Sequence, residues 1–135
     1  MKLVAGLGFR AGCEAGSMRS ALQAALELAS TEHGRPITLA QLSALATAAD
    51  KAHHPALLQL AAELQVSIHP ILLPALAEQS AAPSAHVPER YGAHSVAEAA
   101  ALAAAGPGAS LLGRRSISFD RMATAALASI QNTSP

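Results

Sequence analysis

The tightest constraint on this chain is its opening. A continuous apolar run over residues 3–9 is bounded and interrupted by glycines, and a helical repeat begins within a few residues of its end. A short apolar run between glycines reads as a buried strand. Met18, Leu22, Ala25, Leu26 and Ala29 then recur at helical spacing, which predicts a helix over residues 17–30. A buried strand leading straight into an amphipathic helix commits the chain to an α/β architecture, because that unit buries its apolar faces only by repeating.

The rest of the chain continues the alternation. Gly34 and Pro36 end the first unit, and Thr38 with Gln41 three residues later has the pattern of a capping box. Residues 42–49 are of helix-favouring types, yet an alternating chain needs a strand there. A buried central strand over 44–48 satisfies the topology, since such strands are continuous apolar runs. Pro55 suits a first helical turn, with Leu57, Leu60, Ala61 and Leu64 on one face. Residues 66–72 read as a strand that Pro70 shortens or places at an edge. Residues 79–92, with two prolines, two serines and Gly92, read as a loop. Ser95 and Glu98 form a second capping-box pattern before an alanine-rich helix closed by Gly106. Leu111 and Leu112, then residues 122–130, supply the last strands, separated by a polar turn with Arg114, Arg115 and Asp120. The expected fold class is α/β, a single three-layer α/β/α domain over residues 1–130 with a mostly parallel central sheet, followed by a frayed tail over residues 131–135.

Several function classes fall away. The formal net charge is zero, and two Phe, one Tyr and no Trp leave little for stacking, so nucleic acid is not an expected partner. No stretch reaches 18 uninterrupted apolar residues, so no membrane span is expected and a cytoplasmic location is the default. Cys13 is the single cysteine, which rules out an intramolecular disulfide and a thiolate metal cage. His33, His69, His86 and His94 lack metal-ligand spacing, so no protein-held metal is expected. Alanine occupies about a quarter of positions, a composition that lets helix and sheet backbones approach closely.

The candidate site residues gather at predicted strand ends. Gly6, Gly8 and Gly12 surround the first strand-to-helix turn, one residue too long for the dinucleotide fingerprint. Bared amides there, with Arg10 and the Ser17 helix start, make an anion site; a tight turn with no ligand is the alternative. Lys51 and His54 follow the second strand, where open α/β folds place ligands. Lysine there suits a carboxylate and imidazole a proton, although a solvated loop explains both histidines, His53 more simply than His54. Ser95 and Glu98 first explain each other as a cap, while their helix start faces the same end. Cys13 beside a helix start and Arg10 has the setting of a lowered pKa. Arg114 and Arg115 read as a solvated turn.

Taken in order, the residues Val4-Ala5-Gly6-Leu7-Gly8-Phe9-Arg10-Ala11-Gly12, the stretch 46–55 around Lys51, the run His94-Ser95-Val96-Ala97-Glu98-Ala99-Ala100-Ala101-Leu102 and the closing stretch 123–130 resemble the CobE/CbiG C-terminal domain family of cobalamin (vitamin B12) biosynthesis. The likeness spans nearly the whole chain, and its most specific part is G-x-G-x-R-x-G early combined with S-V-A-E-A-A-A-L late. It implies an α/β domain of the aerobic pathway that binds or processes a precorrin or corrin intermediate, in the manner of stand-alone CobE-like members. The fused CbiG members open a precorrin lactone and release acetaldehyde, so a hydrolase using His54 to activate water is an alternative. A non-catalytic domain that organises other cobalamin-biosynthesis enzymes is another. The family's glycine-rich turn commonly has Cys where Phe9 stands, and its Lys-Ala-Asp-Glu-like stretch is Lys51-Ala52-His53-His54 here, imidazole in place of carboxylate. A corrin precursor bears acetate and propionate groups; Arg10, Lys51 and the amides around Gly6, Gly8, Gly12, Ser17, Ser95 and Glu98 are the residues expected to meet them. No cofactor is implied, and whether a reaction is catalysed stays open.

Overall fold

The strand β1 (Lys2–Phe9) forms where the apolar run predicts it, and helix α1 (Ala15–His33) follows after a short turn. The computed structural model describes residues 2–72, 74–75, 96–113 and 115–130. The readings made for the loop 79–92, for His94, Ser95 and Arg114, and for the tail 131–135 lie outside the described residues. Helix α1 stops at Gly34, whose φ of 64° lies in the left-handed region and whose N–H donates to the Ser30 carbonyl. Thr38 and Gln41 do form a reciprocal capping box, on a single 3-10 turn leading into β2 (Leu42–Ala48).

Topology overrides propensity in β2. Its helix-favouring residues lie between β1 on one side and β3 (Ser67–Ile71) on the other, both parallel to it. Helix α2 (Pro55–Leu64) connects β2 to β3 with Pro55 in its first turn. Helix α3 (Val96–Ala105) precedes the short strands β4 (Ser110–Leu111) and β5 (Ser116–Ile117) and the long β6 (Ala123–Ile130). Sheet order is β3-β2-β1-β6-β4, with β5 also on β6. Pro70 therefore lies on an edge strand, where a missing N–H is tolerated. β6 runs antiparallel to β1 over its full length, from Lys2↔Ile130 to Phe9↔Ala123. β5 is a correction: the segment read as one polar turn pairs Ser116 with Ala125 and Ile117 with Thr124. Two residues of pairing carry too little apolar pattern to be seen in sequence.

The expected three layers are present. Strands β1, β2 and β3 step in one direction, so right-handed crossovers put α1 and α2 on one face. Leu3, Ala5, Leu7 and Phe9 meet α1 and α2 there, against Met18, Leu22, Leu57 and Leu60. Val4, Ala46, Ala48 and Ala128 face α3 on the other side. Helix α3 is buried at six consecutive positions, residues 97–102, and four of these are alanine. A β carbon built on Gly6 would come within 1.9 Å of the Ala97 carbonyl oxygen and 2.7 Å of the Ala101 nitrogen. The helix backbone therefore rests directly on the strand backbone, and alanine elsewhere on α3 keeps that distance short. At the other end of α3, the Lys2 ammonium donates to the Ala104 carbonyl at 3.2 Å, a cation placed at the negative end of a helix dipole.

Gly6→Ala must push α3 off the sheet, and its cost should be about 3 kcal/mol or more by urea denaturation, at the upper end of overpacking penalties. Gly16 is the control: a β carbon there meets nothing within 4 Å. Gly16→Ala in the first turn of α1 should be neutral or stabilising by up to about 1 kcal/mol.

Candidate functional site

Three helices begin at the carboxyl end of β1. Helix α1 follows it through the turn closed by Cys13 N–H to the Arg10 carbonyl, 3.0 Å. Helix α2 is tied to that turn by the His54 ring, which reaches the Ala11 carbonyl at 2.6 Å. Helix α3 begins over Gly8, where a β carbon would lie 3.5 Å from Val96 Cβ and 3.7 Å from the Ala97 nitrogen. Chain order reverses direction across β1, with β2 on one side and β6 on the other, and open α/β sheets take ligands at such a point. The Arg10 side chain is exposed there and has no ion pair or hydrogen bond among the described residues; its N–H donates to the Met122 carbonyl at 3.0 Å.

Behind Arg10, Phe9, Lys51 and His54 form one cluster. Lys51 Nζ donates to the Phe9 carbonyl at 2.5 Å and lies 5.4 Å from the centroid of the Phe9 ring. The His54 ring meets that phenyl edge-on, with centroids 5.1 Å apart and planes at 73°. This is a cation–π and aromatic packing arrangement that holds the ends of β1 and β2 together. His54 is the N-cap of α2: its Nδ1 accepts from the Ala56 N–H at 3.1 Å. With Nδ1 as acceptor, Nε2 carries the proton and donates to Ala11. Both nitrogens of the neutral ring are thus engaged with backbone, and no lone pair is left for a water. The structure gives His54 a capping role at the start of α2. Lys51 retains ammonium N–H groups beyond the one given to Phe9.

The other candidates separate into two groups. Gly6 is buried beneath α3, so its part is in packing; Gly8 and Gly12 lie nearer the open end. Ser17 gives its hydroxyl to Asp120 Oδ2 at 2.5 Å. Asp120 Oδ1 also accepts from the Ser118 hydroxyl at 2.6 Å and from the Met122 N–H at 3.1 Å. Those hydrogen bonds, Ser118's first and Ser17's next, hold the Asp120 carboxyl below its ordinary value of 3.8. Sequence reading noted Asp120 only as a turn residue; the S-x-D spacing of Ser118 and Asp120 was the available signal. Glu98 is 2% exposed and forms an ion pair with Arg115 at 3.0 Å. Arg115 is therefore the counter-charge of a buried carboxylate, a correction to its reading as solvated turn.

Cys13 also differs from expectation. It is 4% exposed, and burial, followed by the Asp120 charge, pushes its thiol above the ordinary range for cysteine. These outweigh the Ser17 hydrogen bond and the Lys51 charge, which act in the opposite direction. Cys13 lines a groove of about 380 Å³ with Glu14, Gly16, His54, Ala56 and Gln59, between the starts of α1 and α2. Among the described residues, no group of three or more His, Cys, Asp or Glu could hold a metal ion, and no helix is long and apolar enough to cross a membrane.

The profile of the family described as cobalamin synthesis G C-terminus matches residues 3–128. The chain belongs to this family. Among solved structures, CobE, a protein from the cobalamin (vitamin B12) biosynthetic pathway, is 41% identical, with a TM-score of 0.75 over 98% of this chain and 93% of that one. Cobalamin biosynthesis protein chiG from Agrobacterium tumefaciens str. C58 is 33% identical, with a TM-score of 0.64 over 96% of this chain and 99% of that one. A cobalamin biosynthesis protein G homologue from Sulfolobus solfataricus shares the fold at 18% identity, with a TM-score of 0.70 over 97% of this chain and 37% of that one. Comparison with curated proteins finds no match. This CbiG C-terminal family member is a cobalamin biosynthesis protein, as the sequence resemblance implies.

Because the Asp120 pKa is lowered, its contribution to stability is complete above the unfolded value and is lost as pH falls through the folded one. Asp120→Asn should be less thermostable than the parent near neutral pH. That gap in Tm should close as the pH is taken down from 3.8. The raised Cys13 pKa predicts that a disulfide reagent at about pH 8 labels the folded protein at least roughly tenfold more slowly than the urea-unfolded chain.

Proposed function

We propose that the chain binds a corrin or precorrin intermediate at the carboxyl end of β1 and delivers, protects or processes it within the aerobic pathway. The observation that carries this reading is the exposed guanidinium of Arg10, without a partner among the described residues, at the point where α1, α2 and α3 all begin. Corrin precursors carry many carboxylates, and a cation set among helix N-termini complements them. Lys51 supplies a second cation behind it, already oriented by Phe9. The lactone-hydrolase reading needs His54 as a base, and its Nδ1 is occupied by the Ala56 N–H. Binding is therefore better supported than hydrolysis. Delivery would bring the protein into contact with the enzymes that supply and accept the intermediate.

Titration with hydrogenobyrinic acid, followed by absorbance, tests this directly. Saturable spectral change is expected with the parent protein, and its absence at micromolar protein would overturn the proposal. Arg10→Ala and Lys51→Ala should each weaken binding by about 1.5 to 3 kcal/mol, the range for hydrogen bonds to charged groups. Arg10→Ala should leave Tm unchanged, because its side chain is exposed and makes no hydrogen bond or ion pair among the described residues. Unchanged affinity in both variants would remove these residues from the site.

A further inference from the structure

The loop between β5 and β6 exposes an aromatic ring in a chain that has few. Phe119 is 87% exposed and Ile117, two residues before it, 55%. Leaving a phenyl ring in water forgoes roughly 1.5 to 3 kcal/mol of burial. Mobility does not explain the exposure, because the loop is tightly bonded. Arg121 N–H donates to the Ser118 carbonyl at 2.9 Å, and Ser118 N–H to the Ala123 carbonyl at 2.8 Å. The Ser118 hydroxyl accepts from Ala123 N–H at 3.1 Å and donates to Asp120. Arg121 is held at φ 60°, a left-handed conformation that a non-glycine residue keeps only when its surroundings enforce it.

The same bonds orient the loop towards the proposed site. Asp120 ties it to Ser17 at the start of α1, and the Met122 carbonyl receives the Arg10 N–H. Ala123 pairs with Phe9 in register, so the loop continues from the carboxyl end of β1. Phe119 is thus followed closely in the chain by the exposed Arg121 and has exposed Arg10 bonded to its own loop. An exposed ring whose loop carries Arg121 and is bonded to Arg10, with the neighbouring Asp120 carboxylate already committed to Ser17, Ser118 and Met122, fits a large flat apolar ring edged with carboxylates.

We propose that Phe119 is the platform for the apolar face of the bound macrocycle, with Arg121 and Arg10 meeting its peripheral carboxylates. This rests on the corrin-binding reading above and adds to it the residue that contacts the ring. A carboxylate-edged tetrapyrrole is the committed occupant; a protein partner docking on the same exposed ring is the outcome that would displace it.

The probe is hydrogenobyrinic acid, titrated by absorbance into the full chain at several salt concentrations. Phe119→Ala should raise Kd by about tenfold at every salt concentration, with Tm unchanged, and Phe119→Tyr or Phe119→Trp should restore affinity. Arg121→Gln should weaken binding at low salt and flatten its salt dependence, since exposed charges are screened. Parent-level affinity in Phe119→Ala, while the parent binds, would overturn the platform and leave the corrin-binding reading standing. Equal loss in Phe119→Ala and Phe119→Trp would also overturn it. Failure of the parent itself to bind would overturn both proposals.

Discussion

The rest of this structure depends on the backbone contact between α3 and β1. Gly6 has no β carbon, and the Ala97 carbonyl occupies the space where one would be. A helix packed this closely has to present alanine, and α3 does so along residues 97–102, where only Glu98 and Leu102 depart from it. The gain is dense packing on the second face of the sheet. The cost is the buried Glu98, which the Arg115 guanidinium compensates. Seating α3 here also fixes where it begins, above Gly8 at the carboxyl end of β1.

That placement gathers three helix starts at one end of the sheet, the candidate site. Helices α1 and α2 begin there by topology, because their crossovers return to parallel strands, and α3 begins there from the opposite face. Polar groups at the strand ends are mostly committed to one another. His54 caps α2 and holds the Ala11 carbonyl, Ser17 and Ser118 neutralise the demand of Asp120, and Lys51 closes over Phe9. The exposed residues at this end include two cations and an aromatic ring, Arg10, Arg121 and Phe119, beside the carboxylate of Glu14 at the start of α1. In a protein of cobalamin biosynthesis, that combination supports ring binding more directly than acid–base chemistry.

Much of the fold was legible because burial writes a period into the sequence. The strand at residues 3–9, the helix repeat through Ala29 and the Thr38–Gln41 cap are local patterns, and each is found where expected. β2 was legible only through the order of elements, since its residues favour helix. β5 was not legible, because two paired residues leave no alternation. The site was less legible than the fold for a related reason. A candidate such as His54 is identified by its side-chain chemistry, but its availability depends on partners distant in the chain, here Ala11. Cys13 likewise has a helix start beside it, yet burial decides its proton affinity.

By itself the sequence determined the α/β class, the family, and the residue types concentrated around the first strand-to-helix turn. These follow from periodicity and short motifs, which are properties of neighbouring residues. Only the tertiary structure decided which of those residues are spent on the fold and which remain for a ligand. Gly6 belongs to packing because a helix from residues 96–105 lies on it, and Arg115 belongs to Glu98 because of the pairing of β5. Phe119 stands out in water while hydrogen bonds from Ser118 and Met122 to Asp120 hold its loop. Each of these outcomes depends on contacts across the sheet, and such contacts have no local signature in the chain.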